Sequence, residues 1–545
     1  MPKIKFHYTA GGETFTRGFS EGEYRDGNVL LSADITKERI CVRVTPSCEL
    51  RDLSFRLVFD RVFADNERFL LNGWQSWTDT YELCKKDRQH SIAHLPRRIR
   101  ENLALASYGD EDIYPGPFKR GVFHGWSYAV IRCGEAYTLY GSAAEAEAFT
   151  AVEFDTADGK ITFTRDLEGL VVSKPFVLLD IRIYTGSESD VYDAWFSALH
   201  IRPRRNGSVR GYTSWYRYYQ NIDSVKIQKS LESASDAGMD IFQIDDGFET
   251  AVGDWLTPDS AKFPDGMAEA ARRIHEKGMR AGLWLAPFVC ETDSDLYRTH
   301  PDWLLCGPDG QPVKAGHNWS GSYALDLSKQ DVLDYIALVL RTVLHEWNYD
   351  LVKLDFLYAA AILPGHGRTR GMEMNAAMNF LRELAGDKEI LACGVPLASV
   401  FGVADYCRIG TDVTLDWQNK WYFRMLHREH ASTKLSILNS AFRFPLNGRA
   451  FCCDPDVFIL REGTSLTESQ KEVLSFINHI RGSLVFTSDD EAEYGPDTRL
   501  LLARHEESAK EPASTLIRAE KEGNLLLLKS GDASIRIDLK KGKFL

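Results

Sequence analysis

The sequence predicts a multidomain protein, with an N-terminal β-sandwich, a central (β/α)8 TIM barrel and a small C-terminal β domain. The chain has 545 residues, which is too long for one compact core. Its first part alternates short apolar runs with turn residues, whereas its middle part alternates strand-like and helix-like patterns. We therefore expect a sandwich over residues 1–200, a barrel over 201–492 and a β domain over 493–545.

The N-terminal part is typical of antiparallel β structure. Short alternating runs with turn signals between them include VLLSADI, ICVRVTP, LSFRLVF, YAVIRC, AYTLYGS and KITFTRD. A short helix is expected over Ser187–Trp195. The basic segment 201–211, rich in glycine and proline, then marks the domain boundary.

The central part alternates eight strand-like runs with helical segments, which is typical of a (β/α)8 barrel. The predicted strands are VRGYTSW, DIFQIDD, RAGLWLAP, LVKLDF, EILACG, DYCRIG, KLSILNS and SLVFTS. Helices are expected over Ala268–Glu276, after a capping box at Ser328–Asp331, and over Thr467–Arg481. Beyond about residue 495 the chain becomes charged and then strand-like, in the runs NLLLLKSG and ASIRIDL.

Composition and charge exclude several classes of partner. The formal net charge is -13, which argues against nucleic acids and anionic membranes, and no apolar run is long enough for a membrane helix. A neutral carbohydrate partner fits, because 12% of the residues are aromatic and sugars stack on aromatic rings. The N-terminus lacks the apolar core of a secretory signal, so we expect a cytoplasmic protein with reduced thiols. The oligomeric state does not follow from the sequence.

The strand-like runs of the barrel end in polar side chains. In barrels of this type the C-terminal strand ends carry the chemistry. One acid alone commonly caps the next helix, and Lys353 with Asp355 alone is equally consistent with a structural ion pair. Four such ends on one face indicate a functional site, whose members are Asp245, Asp246, Trp284, Lys353, Asp355, Arg408 and Asp412.

These residue types favour glycoside hydrolysis. No P-loop, no GxGxxG turn, no HExxH motif and no zinc-ligand spacing of cysteines occurs, so we expect neither a cofactor nor a metal ion. In most glycosidases one carboxylate attacks the sugar or activates water, while a second carboxyl group donates a proton to the leaving group. That acid keeps its proton near neutral pH only if burial or a neighbouring carboxylate raises its pKa.

A series of motifs resembles the α-galactosidases of glycoside hydrolase family 36, especially the short bacterial type. The motifs run in order from about residue 211 to 462. They are SWYRYY, FQIDDGF, GDW, GLWLAPF, HPDWLL, YALDLSK, KLDFLYA, CGVPL, RIGTD and CDPDVFILRE. The expected order of sandwich, barrel and small β domain also agrees with that family.

The resemblance implies roles for the residues that match its motifs. Asp355 would be the nucleophile that forms a covalent glycosyl intermediate, and Asp412 would be the general acid and then the general base. The remaining matches would bind the sugar: Asp245 and Asp246 near C4 and C6, Trp284 beside them, Lys353 and Arg408 near C2 and C3, and Cys393 on the C2 side. The resemblance thus implies a retaining, exo-acting α-galactosidase.

Trp77 is expected at the rim of this pocket as the contribution of the sandwich. It lies with Trp74 in the run LLNGWQSWT, and tryptophans beside a turn are often core residues. The resemblance favours a position at the pocket rim for Trp77, and favours it less for Trp74.

Two departures from the family bear on the sugar. Cys453 stands where many relatives have asparagine, and Val395 and Pro396 follow Gly394 where many have a glycine-rich run. α-N-Acetylgalactosaminidase and galactosyl transglycosylase on the same scaffold therefore remain alternatives. A catalytically inactive sugar-binding protein and a metal-dependent barrel hydrolase using Asp245, Asp246 and a histidine are the alternatives from other classes.

Overall fold

The structure is a computed structural model that describes residues 2–92, 95–102, 105–114, 116–421, 425, 431–510, 518–531 and 533–545. It confirms the predicted fold class. Its helices of at least one turn are Arg97–Asn102, Glu188–Leu199, Trp215–Tyr218, Ser224–Asp236, Gly266–Glu276, Asp295–Thr299, Gln330–Arg341, Arg370–Ala385, Thr433–Arg443, Glu468–Arg481 and Pro496–Lys510. Within the part of the chain described, none of the helices is both long and apolar enough to cross a membrane.

The N-terminal part folds into two antiparallel sheets that enclose an apolar core. The first sheet has the strand order Glu13–Phe19, Lys3–Ala10, Arg51–Asp60, Lys160–Arg165, Thr150–Asp155, Val122–Trp126. The second has the order Gly22–Arg25, Val29–Ile35, Arg39–Pro46, Phe176–Gly186, Ala136–Ser142, Tyr128–Cys133, Arg68–Leu71, Glu82–Leu83. Alternation of buried and exposed residues, as along Lys3–Ala10, directs every second side chain into this core.

The central sheet closes into a barrel of eight parallel strands. In chain order they are Val209–Thr213, Ile241–Ile244, Arg280–Leu285, Leu351–Leu354, Glu389–Ala392, Tyr406–Arg408, Cys452–Asp454 with Val457–Phe458, and Leu484–Thr487. The seventh strand is split. Its first half pairs with the sixth strand and its second half with the eighth, because Pro455 donates no hydrogen bond and Asp456 has a left-handed φ of 76°.

One predicted strand is wrong. The run Lys434–Ser440 lies inside the helix Thr433–Arg443, and the seventh strand comes later, at Cys452. A short apolar run does not by itself distinguish a strand from a buried helix. Here Ser432 accepts a hydrogen bond from the amide of Leu435 and starts the helix.

The predicted capping box at Ser328 is also wrong. The helix begins at Gln330, and the Ser328 hydroxyl donates instead to Asp326, at 2.6 Å. The N-cap is Lys329, whose side chain makes no capping hydrogen bond. The helix itself exists as expected, with Val332, Ile336, Val339 and Leu340 buried at helical spacing.

The domains are joined by polar contacts as well as by apolar packing. Arg370 of the barrel donates to Asp166 of the sandwich at 3.0 Å, and both side chains are 5% exposed.

The C-terminal sheet is antiparallel, with the order Arg518–Glu522, Leu525–Ser530, Ala533–Asp538, Lys543–Phe544. It contacts the barrel where the Trp417 indole donates to the Leu539 carbonyl at 2.9 Å. The proposed boundaries at residues 200/201 and 492/493 stay predictions.

Candidate active site

A cavity of about 200 Å³ opens at the C-terminal ends of the barrel strands. Strand ends two, three, four and six contribute side chains to it, and so do a barrel loop and the N-terminal domain. Its lining consists of Trp77, Tyr108, Trp215, Asp245, Asp246, Trp284, His317, Asn318, Trp319, Lys353, Asp355, Phe356, Thr411, Asp412 and Ala431. Seven of the nine residues singled out in the sequence therefore meet in one place.

Asp245 lies at the floor of the cavity and links three barrel strands. Its carboxylate accepts hydrogen bonds from Lys353 Nζ at 2.9 Å, Gln243 Nε2 at 2.7 Å and Thr213 Oγ1 at 3.2 Å. Burial opposes the charge on Lys353, but attraction by Asp245 and Asp355 prevails and raises the pKa of the ammonium group. The floor thus holds a buried pair of Lys353 and Asp245.

Asp246 follows Asp245 at the same strand end and is held by different donors. Gln220 Nε2 donates to both of its oxygens, at 3.2 and 3.1 Å, and Trp319 Nε1 donates at 2.9 Å. Burial raises the pKa of Asp246, and burial together with Asp246 raises the pKa of the neighbouring Glu249 well above its ordinary value. The two carboxyl groups share a hydrogen bond, and Glu249, which is 5% exposed, favours its protonated form more than an exposed glutamate does.

Asp355 follows the fourth strand and is oriented by two donors. Trp284 Nε1 donates to its Oδ2 at 3.1 Å, and the backbone amide of Phe356 donates to its Oδ1 at 2.9 Å. Phe356 has a left-handed φ of 54°, so the chain turns sharply there. Trp284 thus contacts Asp355, whereas the sequence placed it beside Asp245 and Asp246.

Asp412 lies four residues beyond Arg408, where the sixth strand ends. Its side chain is 43% exposed, but that surface faces the cavity, and Arg408 Nη1 donates to it at 2.9 Å. Burial is the largest effect and raises the pKa of Asp412, although Arg408 and Lys353 act in the opposite direction. The carboxyl group therefore favours its protonated form more than an exposed aspartate does.

Arg408 lies behind Asp412 and does not line the cavity. Its side chain is 3% exposed, and its other nitrogens contact Asp454 at 3.1 Å and Asp456 at 2.9 Å. Burial raises the pKa of Asp456 to about 7, and Tyr216 donates to this carboxyl group. The geometry thus brings Arg408 to the acid rather than to the cavity surface, and its contact with a sugar stays a prediction.

Cys393 and Trp74 also lie outside the cavity lining. Cys393 is 1% exposed, and burial raises the pKa of its thiol well above the ordinary value. Trp74 packs edge-on against Trp126 and Phe149, with ring centroids 5.0 and 4.7 Å apart, so it is a core residue. A sugar contact for Cys393 stays a prediction.

Trp77 reaches the cavity from the sandwich. Its ring packs against Phe356 and Tyr358 of the barrel, with centroids 5.3 and 5.9 Å apart. A Cβ at Gly394, whose φ is 57°, would lie 3.0 Å from the Trp77 ring, so this close approach requires glycine.

Several lining residues lie outside the motifs used to locate the site. His317, Asn318 and Trp319 lie in the loop before the strand Ser322–Ala324, and Tyr108 comes from the N-terminal domain. The available signal was a tryptophan in a polar loop between the third and fourth barrel strands. Within the ranges given above, no group of three or more His, Cys, Asp or Glu side chains is arranged to hold a metal ion.

The Lys353–Asp245 pair makes a testable contribution to stability. We expect Lys353→Met to lower the free energy of unfolding by about 3–5 kcal/mol, because Asp245 is left charged and buried. Adding Asp245→Asn removes the uncompensated charge and should recover part of the loss. Urea unfolding at pH 7, followed by circular dichroism, measures both variants. A double variant that is no more stable than Lys353→Met alone would contradict this account of the pair.

The barrel matches a known family model. The model described as melibiase covers residues 206–381. The chain is 32% identical over 149 residues to α-galactosidase AgaA of Geobacillus stearothermophilus, a match that covers 26% of this chain and 20% of that protein. It is 34% identical over 139 residues to an A type blood α-D-galactosamine galactosaminidase of Flavonifractor plautii, covering 24% of this chain and 13% of that protein. The matched stretches thus span about a fifth or less of these curated relatives.

A solved structure extends the likeness to nearly the whole chain. The α-galactosidase of Thermus thermophilus aligns with a TM-score of 0.72 at 26% identity. The alignment covers 94% of this chain and 98% of that one. By its motifs, its barrel sequence and its fold, the chain is similar to α-galactosidases of glycoside hydrolase family 36.

Proposed function

We propose that the protein is an exo-acting, retaining α-galactosidase that removes terminal α-linked galactose from oligosaccharides by double displacement. The observation that carries the proposal is that Asp355 and Asp412, from two different strand ends, line one small cavity together with Asp245 and Asp246. In such a mechanism one carboxylate attacks the anomeric carbon while the other carboxyl group protonates the leaving oxygen. Water then hydrolyses the glycosyl-enzyme with the second residue acting as base.

The surroundings of the two acids support a division of roles. Asp355 accepts two N–H groups, which fix the direction of its oxygens, and it lies near the cationic Lys353, an arrangement that suits a nucleophile. The pKa of Asp412 is raised by burial, which favours a proton on the acid. We assign Asp355 as the nucleophile and Asp412 as the acid and then the base.

The floor of the cavity suits recognition of a galactosyl ring. Asp245 and Asp246 present fixed carboxylate oxygens as acceptors for sugar hydroxyl groups, and the Lys353 ammonium group is a donor beside them. Carboxylates that are already oriented lose little freedom when a hydroxyl group binds. The small volume, about 200 Å³, suits one terminal ring and supports exo action.

The relatives support the substrate class. The Thermus thermophilus α-galactosidase has been solved in complex with p-nitrophenyl α-D-galactopyranoside and with stachyose. We propose α-galactosides of small oligosaccharides as substrates of this chain. We also place the activity in the cytoplasm, because all ten cysteines are free thiols, which suit a reducing compartment.

A second candidate is cleavage of an α-linked galactosamine derivative. One relative is named an A type blood α-D-galactosamine galactosaminidase, and the present chain departs from the family motifs at Cys453 and after Gly394. A transglycosylase would use the same glycosyl-enzyme with a sugar acceptor in place of water.

The substrate panel is the first test. Purified protein is assayed with p-nitrophenyl α-galactoside, α-glucoside and α-N-acetylgalactosaminide, each with and without EDTA. We expect release from the galactoside alone, unaffected by chelator, with α-galactose as the first anomer in proton NMR. Preference for the acetamido sugar would support the second candidate. Loss of activity in EDTA would support a metal-dependent hydrolase, and no release from any substrate would contradict the proposal.

The assignment of Asp412 predicts a change in the pH profile. The acid works while protonated, so kcat/KM of the wild type should fall on the alkaline side as Asp412 loses its proton. In Asp412→Ala, an aryl leaving group that needs no proton should still give a burst of product. Steady turnover should slow by about 10²–10⁴-fold, because the general base is missing, and the alkaline limb should disappear.

Asp416→Ala is the matched control for this prediction. Asp416 follows Asp412 on the same loop and does not line the cavity. We expect this variant to keep both the alkaline limb and the turnover rate. An alkaline limb that survives in Asp412→Ala would point to another group, such as Asp456, whose pKa is about 7.

A further inference from the structure

A fully buried arginine joins the sandwich to the barrel beside the cavity. Arg443 ends the helix Thr433–Arg443 and is 0% exposed. Its Nε donates to Asn72 Oδ1 at 3.1 Å, and its Nη2 donates to the Gln75 carbonyl at 3.0 Å. Its Nη1 donates to the carbonyls of Ser76 and, at 3.0 Å, Ile409. One guanidinium group therefore holds the loop before Trp77 and the strand end before Asp412.

The acceptors of Arg443 are all uncharged oxygens. Burial lowers the pKa of Arg443 to about 10, so it remains a cation at neutral pH. A buried cation without a hydrogen-bonded carboxylate is unfavourable for stability, and an apolar side chain of similar size would avoid that cost. The planar fork of arginine, in contrast, sets the direction of several hydrogen bonds at once. The arrangement fits a role in geometry better than a role in stability.

The same helix makes a second contact with both segments. Asn439, one turn earlier, accepts a hydrogen bond from the Thr80 amide at 2.9 Å. A Cβ at Gly410 would lie 3.3 Å from the Asn439 Cβ and 3.4 Å from Ser436 Cα, so the helix packs directly on this strand end. The helix thus supports both the loop that carries Trp77 (residues 72–80, here the Trp77 loop) and the segment that leads to Asp412.

The two supported segments form separate parts of the cavity wall. The Trp77 loop docks on the fifth strand end, where the Ser76 amide donates to the Val395 carbonyl at 2.9 Å. Ile409 and Gly410 lead to Thr411 and Asp412, which line the cavity. Arg443 itself is not among the lining residues. Its influence on a bound sugar therefore has to pass through these two segments.

We propose that Arg443 is a positioning residue that sets the separation between the Trp77 loop and the strand end that leads to Asp412. The kinetic part of this inference rests on the proposed α-galactosidase activity. Loss of the guanidinium group loosens chiefly the loop that carries Trp77, because the strand end before Asp412 keeps the hydrogen bond from the Ile409 amide to the Asp454 carbonyl, at 3.0 Å. In the proposed reaction Trp77 contacts substrate in the ground state and in the transition state alike. Removal of such uniform binding raises KM more than it lowers kcat.

The test is a double-mutant cycle between Arg443 and Trp77 with p-nitrophenyl α-galactoside. We expect Arg443→Met and Trp77→Ala each to raise KM by about tenfold and to change kcat less than about threefold. Because Arg443 acts through Trp77, the double variant should have the KM of Trp77→Ala alone. Arg443→Lys keeps the positive charge but lacks the planar guanidinium group, so it should raise KM by a smaller factor, again with little change in kcat. It also replaces the methionine variant if that variant does not fold.

Arg481→Met is the matched control. Arg481 is also 0% exposed, and burial lowers its pKa to about 10 as well, but its guanidinium lies over the Phe444 ring, 4.5 Å from the centroid. It should lower stability without raising KM, and its effects should add to those of Trp77→Ala. If Arg443→Met behaves in the same additive way, its role is structural only and the inference is overturned.

Hydrogen exchange separates this inference from the proposed function. Followed by mass spectrometry, Arg443→Met should speed amide exchange in residues 72–80 and 409–412, whereas Arg481→Met should leave both segments protected. If the wild type does not cleave the galactoside, the proposed function fails, and the exchange result alone decides the inference. Unchanged exchange in both segments would overturn it whatever the activity.

Discussion

The hydrogen bond between the Lys353 ammonium and the Asp245 carboxylate is the interaction on which the site depends. It joins the fourth and second barrel strands across the third, and Asp245 extends the link to the first strand through Thr213. The side chains of Lys353 and Asp245 are 8% and 3% exposed. Replacing a buried pair by apolar residues is often neutral or stabilising, so such a pair is weak evidence for stability. It is better explained as a preorganised floor of the cavity, with Lys353 two residues before Asp355.

Around this charged floor the other carboxyl groups have different proton affinities. Burial raises the pKa values of Asp412, Glu249 and Asp456, whereas Asp245 is held by a full cation. Groups whose surroundings push their pKa values apart are suited to different roles in one reaction. A proton on Asp412 beside an ionised Asp355 is the combination that double displacement requires. In the proposed mechanism, attack, proton donation and hydroxyl recognition belong to different neighbouring acids of the cavity.

Much of this site was predictable from the sequence because it depends on strand geometry. Side chains two residues apart on a strand point to the same side, which placed Lys353 and Asp355 together, and parallel strands brought Asp245 and Asp412 to the same edge. Residues on connecting segments, such as Trp319 and Tyr108, depend on how those segments dock, and no local pattern encodes that. The helix at Lys434–Ser440 was missed because its apolar run suits either structure. The contacts of Arg443 with Asn72, Gln75 and Ser76 join residues more than 360 positions apart in the sequence, so local spacing could not reveal them.

The central claim, that Asp355 forms a covalent bond with the sugar, is tested most directly by trapping that intermediate. The wild type is incubated with an activated fluorinated α-galactoside, whose glycosyl-enzyme hydrolyses slowly because the fluorine destabilises oxocarbenium-like transition states. Intact mass and peptide sequencing by mass spectrometry then locate the sugar. The account predicts one glycosyl group per chain on Asp355 and none in Asp355→Ala. A label on Asp412, or inhibition and turnover without any covalent adduct, would contradict it.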